Sequence, residues 1–593
     1  MNPETKNCQN CKKDFVLTGQ DFGLLEKMHL PMPNFCAHCA MIDRMLWRNE
    51  RVLYKHPNNA PGMSGDIVSI YAPESGLVIY DSKSWWGDAW DPLDYGQEYD
   101  FSRPFFEQFR ELCKKVPFPA LQNWNAVNSD YCNCTTDNKN CYMVFGGDFN
   151  EDSMYSMYNI FSKNVCDVYW VVSSEFSYEL IVSERCYRVQ HAMYARDCTD
   201  STFLYDCVNC TNCTGCVSLR SRSNSILNRQ YTKEEYKEAL AALHLDTYSG
   251  REAFREQFEL LKKNTPLRFA YQVKTQHVSG DRIVNAKDCD HCFDIIGPAE
   301  NLKDCYNAGW NAKDMLRASH AGYGAELLYN SFGVFSSAQN VICSAYGPSG
   351  IAISYCYNCP NGSNLFGCVG VKKGTYAILN KRYSKEEYNE LVPRIIEHMK
   401  IMPYTDSKGR VYSYGDFFPG ALSLFAYNES VSQDLVTFTE AEIAERGYAY
   451  RLRPKLAYPI TMKNEAIPDL LPASFEALKT AIIECAHKGS EVYCAGAFRV
   501  TAEEFAFYQR MGIPLPRYCF NCRNYTRISE IRSMTLRPGT CACAGATSAN
   551  GVYTNTGTHD HGAIPCPNTF ETAYPEEAGK ILYCESCYQR EVN

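Results

Sequence analysis

Cys216 to Tyr236 reads CVSLRSRSNSILNRQYTKEEY, and Cys368 to Tyr388 repeats it as CVGVKKGTYAILNKRYSKEEY. In both stretches Ile-Leu-Asn starts ten residues after the Cys, and a Lys-Glu-Glu-Tyr closes the match. This is an internal duplication, and it decides how the rest of the chain is divided. Upstream, Glu107, Gln108, Phe109, Leu112, Lys114 and Pro117 match Glu256, Gln257, Phe258, Leu261, Lys263 and Pro266 at one offset of 149, although Lys115 falls on Asn264. Phe106, Phe109, Leu112 and Cys113 stand at helical spacing, so each copy is expected to open with an amphipathic helix that stops before its Pro. Each copy also closes with a helix, because Thr232 with Glu235 and Ser384 with Glu387 are capping boxes.

Between these helices lie short strand-like runs punctuated by Asn, Asp, Gly and Cys, with polar-Cys-aromatic steps as at Cys141, Cys166, Cys186 and Cys207. Repetition at irregular intervals of roughly ten to twenty-five residues predicts a β-solenoid, whose coils bury their apolar faces against one another. An antiparallel β-sandwich is the alternative. Cys207, Cys210, Cys213 and Cys216 have the ladder spacing of an iron–sulfur site. The duplication argues against that reading, because the position of Cys213 is taken by Leu365 in the second copy. A residue that Leu can replace is a buried small hydrophobe, not an obligatory ligand.

The 593 residues exceed what one core can organise, and the net charge of −9 gives no general attraction to polyanions. No run of about eighteen apolar residues is present, so no membrane span is expected. The start, MNPETKNCQNC, has neither a basic segment nor an apolar one, and the expected location is cytoplasmic. In that setting 31 Cys point to metal ligands and buried thiols; export with disulfides is the alternative.

Cys8-x2-Cys11 and Cys36-x2-Cys39 are two knuckles that can surround one Zn2+. A helix is expected after the second knuckle, with Met41, Met45, Leu46 and Trp47 on its apolar side and Arg44, Arg48 and Arg51 on a solvated face, a grip on phosphate being the alternative. The opening recurs near the end, where Cys494-x24-Cys519-x2-Cys522 overlays Cys11-x24-Cys36-x2-Cys39 at an offset of 483. Glu491 stands where Cys8 would be matched, so the fourth ligand is assigned to Cys485, with His487 and Glu491 as alternatives. A third module closes on Cys584-x2-Cys587, with Cys566, Cys541, Cys543, His559 and His561 as further candidates. These residues suit one tetrahedral site with spares or two sites with a shared or water ligand. Arg510, Arg517, Arg523, Arg527, Arg532 and Arg537 surround the last modules against the single acid Glu530; Arg517, Arg523, Arg527 and Arg532 are the candidates for nucleic-acid contact, and an Arg-rich face that pairs with the acidic remainder of the chain is the equal alternative.

From Tyr71 to Arg103 the chain is rich in Trp, Tyr and Asp; Asp88, Asp91, Asp94 and Asp100 beside Trp could line a sugar cleft, or the segment is pinned to a neighbour by its rings. Thr439 to Arg446 and Ser474 to Cys485 read as helical, as does EEYNELVPRIIEHMK. No phosphate loop or metalloprotease pairing is present, and Cys113 and Cys485 have no evident base.

The motifs CQNCKKDF, PMPNFCAHC, WRNERVLY, WWGDAWDPLDYG, DFSRPFFEQF, ILNRQYTKEEY, YGDFFP, FRVTAEEFAFYQRMGIPLPRYCFNCR and YCESCYQREV together resemble a family of multi-zinc-ribbon, Cys-rich repeat proteins of candidate-phyla (Patescibacteria-type) bacteria. The resemblance spans nearly the whole chain. It implies zinc binding and a cytoplasmic or cell-associated setting, and it carries no activity over. Where the family pattern has two close knuckle Cys before FETAYPEE, this chain has Cys566 alone after its CAC and HDH loop.

The expected architecture is α+β and multidomain: a zinc ribbon (1–56), an aromatic and acidic connector (57–104), β-solenoid units with flanking helices (105–245 and 250–400), a helical and loop linker (401–480) and tandem zinc or treble-clef modules (481–593). About two to three Zn2+ are expected. A binding or scaffold protein for an unknown protein, polysaccharide or nucleic acid is the first functional reading, since extended repeat surfaces suit that use. A nucleic-acid-associated zinc protein acting through the arginines and a polysaccharide-cleaving enzyme are the alternatives, and no catalytic residue is assigned.

Overall fold

The computed structural model describes residues 2–174, 178–184, 190–452, 457–491, 493–531 and 533–592, with the backbone alone for 178–184 and Glu577. Cys186 and Arg532 lie outside the described residues. The protein is a mixed α/β multidomain chain with twelve α-helices among the described residues and Cys clusters at both ends. It divides into two compact units, each made of two separate stretches: 1–121 with 270–452, and 122–269 with 453–593.

Both repeats are parallel sheets that close on one antiparallel pair, Ser223–Ile226 with Arg229–Gln230 in the first and Thr375–Ile378 with Lys381–Arg382 in the second. In the first, nine strands from Tyr142–Phe145 to Arg229–Gln230 lie side by side in chain order. Successive strands pair twelve residues apart, as in Met154 with Tyr142, Gln190 with Thr202 and Thr211 with Ser223. Parallel bridges outside the strands keep that step, as in Thr136 with Asp148 and Val208 with Arg220. The second repeat opens on an eleven-residue step (Gln272 with Ile283), continues by thirteen (Lys313 with Glu326) and ends by twelve (Ile351 with Ser363). Neither repeat is an antiparallel sandwich, and the irregular spacing expected from the Cys steps gives way to this register.

The periodicity beneath the register is three. Val165, Val168 and Val171, then Ala192, Ala195 and Cys198, then Cys207, Cys210, Cys213 and Cys216 form the core of the first repeat. Ile353, Cys356, Cys359, Leu365, Cys368 and Val371 do the same in the second. Each triplet also contains a residue of positive φ, as at Asn140, Met143, Asp152, Tyr155 and Tyr158. Asn and Asp tolerate that conformation better than other side chains, which accounts for their frequency in the repeats. Side chains twelve residues apart then form ladders, such as Lys139, Glu151 and Lys163 in one salt-bridged row and Phe149 stacked on Phe161.

The duplicated stretch ends each sheet. Asn228 accepts a hydrogen bond from Val217 N and returns one to Val217 O, both at 2.9 Å. Asn380 does the same with Val369 at 2.8 Å. The side-chain amide thus occupies main-chain groups that another strand would otherwise pair. Both capping boxes form, starting helices Lys233–Ala241 and Lys385–Ile401.

The opening helices form as expected, over Phe105–Lys115 and Tyr248–Asn264, but each lies on the repeat of the other copy. Phe254 packs on Phe203 and over Gly215 in the first repeat, while its duplicate Phe105 packs on Phe366 and over Gly367 in the second. The compact units therefore cut across the expected segments 105–245 and 250–400. The expected helix from Ser474 to Cys485 is absent; that stretch is turns followed by the short strand Ile483–Glu484, with Phe475 packed on Phe505. Thr439 caps helix Glu440–Glu445 as expected.

Candidate metal centres

Three groups of four Cys are each assembled by the same local frame. In the first, Cys8 and Cys11 sit in the turn between antiparallel strands Glu4–Asn7 and Asp14–Leu17, and Cys36 and Cys39 start helix Ala37–Leu46. In the second, Cys485 follows strand Ile483–Glu484, Cys494 precedes its partner Ala497–Phe498, and Cys519 and Cys522 start helix Phe520–Ser529. In the third, Cys541 follows strand Arg537–Thr540, Cys566 precedes Thr569–Thr572, and Cys584 and Cys587 begin helix Glu585–Val592. The sulfur atoms of each group lie within 4.8 Å of one another. The helix-starting Cys donates its backbone N–H to the first thiol in every case: Cys36 to Cys8 at 3.3 Å, Cys519 to Cys485 at 3.2 Å and Cys584 to Cys541 at 3.2 Å. What differs is the turn, which is x2, x8 and x24 between the paired Cys. The longer turns explain why the match of Cys8 to Glu491 fails by simple offset while Cys485 still arrives at the site. His487 lies beside that group, its Nδ1 3.2 Å from Cys522 Sγ.

Within each group the thiols act strongly on one another. Hydrogen bonds from Cys36 and Cys39 hold Cys8 far below its ordinary range, while Cys36 and Cys8 push Cys39 far above it. Cys485 and Cys522 bring Cys519 down to about 2, and Cys522 in turn rises well beyond its usual value beside Cys485 and Cys519. In the third group burial raises Cys584, but hydrogen bonds from Asn568 and Ser586 outweigh it and bring the thiol to about 6. One thiol ionises readily in each group and its neighbours then resist, because adjacent negative charges repel; a bound dication removes the conflict. The described Cys are all free thiols. Several groups can therefore hold a metal such as zinc.

A fourth group, Cys543, His559, His561 and Cys587, lies in and beside the enlarged third turn and shares Cys587 with the third. Sequence reasoning named these candidates but missed their supports, Glu591 and Asn555, and also Asn568 beside Cys584 of the third group, all of which reach the ligands only through the fold.

The ladder Cys207, Cys210, Cys213 and Cys216 is not among these groups. Each of its thiols donates to a carbonyl nine residues on, from Cys207 to Cys216 O at 3.3 Å through to Cys216 to Ser225 O at 3.5 Å. Cys359 and Cys368 repeat the pattern in the second copy at 3.4 Å.

Each module is fixed to the repeat of its own unit by polar residues. Arg44, expected on a solvated face, is fully buried and donates to Asn330 at 2.8 Å and to Ser319 at 3.0 Å. Beyond the helix, Arg48 pairs with Glu50 and Arg51 with Asp434, so these arginines too have internal partners. Arg523 and Arg527 are likewise buried, paired with Asp167 at 3.1 and 3.0 Å, and Arg523 also meets Glu504 at 3.1 Å. Arg517 stacks on Tyr248. Tyr588 of the third module donates to Asp206 at 2.7 Å and contacts Ser218 at 2.9 Å. Three of the four candidate nucleic-acid arginines thus have internal partners. In the aromatic segment, Trp85 is buried with its indole bonded to Pro117 O, Lys372 lies over Trp85 and Trp90, and Asp91 and Asp100 cap turns at Leu93 and Ser102. That segment is pinned by its rings.

No helix among the described residues is long and apolar enough to cross a membrane. No protein-family model matches the chain, and a search of curated proteins finds no match either.

Proposed function

We propose that this is a zinc-stabilised binding or scaffold protein, in which the four-cysteine modules clamp two β-solenoid repeats whose laddered faces recognise a macromolecule. The observation that carries the reading is the union of module and repeat: the helix that begins at each metal group is also the one whose Arg or Tyr is buried against the parallel strands. Zinc held by Cys8, Cys11, Cys36 and Cys39, by Cys485, Cys494, Cys519 and Cys522, and by Cys541, Cys566, Cys584 and Cys587 supplies folding free energy and fixes the angle at which those helices leave the knuckles. Each group is a treble-clef-like pairing of a hairpin knuckle with a helix knuckle. The regular twelve- and thirteen-residue register and the triplet core support coils that stack on one another. The outer rows, such as Phe149 stacked on Phe161 and the alternating charges Lys139, Glu151 and Lys163, set side chains at the spacing of adjacent strands, which suits an extended or repetitive ligand. The internal pairing of Arg523 and Arg527 favours this reading over nucleic-acid contact through the C-terminal arginines.

The test is purification of the full chain from its native host, with elemental analysis and identification of what is retained with and without nuclease. Zinc without iron and a retained protein or polysaccharide are expected. Iron in place of zinc, or retention abolished by nuclease alone, would overturn the proposal.

A further inference from the structure

We propose that the third module holds two metal ions, with Cys587 Sγ as a shared ligand: a second zinc-class dication is taken by Cys543 Sγ, His559 Nδ1, His561 Nε2 and Cys587 Sγ. This rests on the reading of Cys541, Cys566, Cys584 and Cys587 as a metal centre. The four donor atoms of the second set lie within 4.8 Å of one another, and Cys543 and His559 are buried.

The state of the two imidazoles points to a cation. His559 Nε2 is 2.9 Å from Glu591 Oε1, and a carboxylate only accepts, so the proton sits on Nε2. Nδ1 is left with its lone pair, and it is a buried atom with no hydrogen-bond partner, on a side chain only 1% exposed. A buried acceptor without a partner costs about 1–3 kcal/mol, and a metal ion would satisfy it. His561 shows the complementary tautomer. Its Nδ1 is 2.7 Å from the carbonyl of Ile564 and donates to it, so the lone pair of Nε2 faces Cys587 Sγ at 3.3 Å. Both rings are thus oriented from behind, one by a carboxylate and one by a carbonyl, as metal-ligating imidazoles usually are. Glu591 is itself fixed by Thr556 N at 2.8 Å, Gly557 N at 3.1 Å and Tyr553 OH at 3.0 Å. Asn555 Nδ2 donates to Cys543 Sγ at 3.2 Å.

Charge favours sharing. Five thiolates and two neutral imidazoles around two dications leave a net charge of −1, whereas one dication would leave Cys543 as a further thiol beside an already negative centre. The second ion also explains the x24 turn. The first module closes the same hairpin with x2, and a long excursion with few apolar residues is held in place most directly by a metal. A cleft of about 260 Å3 lined by His561, Cys587 and Arg590 gives an ion a way in.

The test counts metal on the full-length chain. Four zinc per chain are expected from the four donor groups, and three in both Cys543→Ser and His559→Gln, with unchanged circular dichroism. Three zinc in the unsubstituted chain would overturn the second site while leaving the reading of the three four-cysteine groups intact; fewer than three would overturn both. Should either variant misfold, Glu591→Gln keeps every ligand and is expected to weaken one ion about ten- to a hundredfold, so that a chelator removes it first. In the cobalt-substituted chain the shared thiolate couples two ions, so low-temperature EPR intensity falls below that of four isolated ions and recovers per ion in Cys543→Ser. Four uncoupled signals would overturn the bridge.

Discussion

Cys213 and its neighbours show what a single position does in these repeats. The thiol fills the inward place of a triplet and donates weakly to a carbonyl on the following turn of chain, so it behaves as a small hydrophobe. Cys213→Ala is therefore expected to leave the metal content unchanged and to lower stability by about 1–2 kcal/mol, read by elemental analysis and urea unfolding. Gly215 is more demanding. Its φ is +68°, and a Cβ there would lie 2.5 Å from the Phe254 ring. Gly215→Ala should cost about 2–4 kcal/mol in the same assay. Arg523 pairs with the buried carboxylates Asp167 and Glu504, so Arg523→Ala is expected to cost about 3–5 kcal/mol, and a loss below about 1 kcal/mol would show that the cluster is solvated. The Leu at position 365 made the role of Cys213 legible from sequence. The triplet was not, because a period of three with positive φ at one place in each unit resembles neither strand alternation nor helix. Nor were the partners of Arg44 and Arg523, since Asn330 and Asp167 lie hundreds of residues away in the chain.

Among the elements, those with local signals were readable. Thr232, Ser384 and Thr439 cap helices through contacts three residues away, and the paired knuckles announce their hairpins and helices. The stretch from Ser474 to Cys485 failed because its apolar residues serve tertiary contacts instead of one helical face: Leu478 is buried in a turn and Ile483 in a strand. Knuckle and helix form one element here. Cys36→Ser is expected to unpin the Ala37–Leu46 helix and raise hydrogen exchange in the second repeat, around Ser319 and Asn330, while leaving the first repeat protected. Cys519→Ser should do the reverse, exposing the strands around Asp167. Equal loss of protection in both repeats, measured by mass spectrometry, would refute that assignment.

At the scale of the molecule, the duplication located the copies but not their grouping. Nothing local in Phe105 or Phe254 indicates that each ring belongs over the glycine of the other repeat. Because each unit combines one repeat with at least one metal module, chelation of the full chain should lower the thermal midpoint of both, and zinc should restore it. Calorimetry that showed one transition unaffected by chelator would count against clamping of the repeats by metal.

The division into interleaved stretches sets a timetable for synthesis. Residues 1–121 reach their companions only when the chain has been extended to 452, a further 331 residues from 121. At about 5–20 residues per second that is a delay of roughly 17–66 s. Until Ser319 and Asn330 are made the first module has its four thiols but not the strands that Arg44 enters, and the first repeat emerges before either of the modules that belong to it. A nascent chain of this design exposes unpaired strand edges on the ribosome for most of its translation. Early capture of a metal by Cys8, Cys11, Cys36 and Cys39 is then expected to raise its yield.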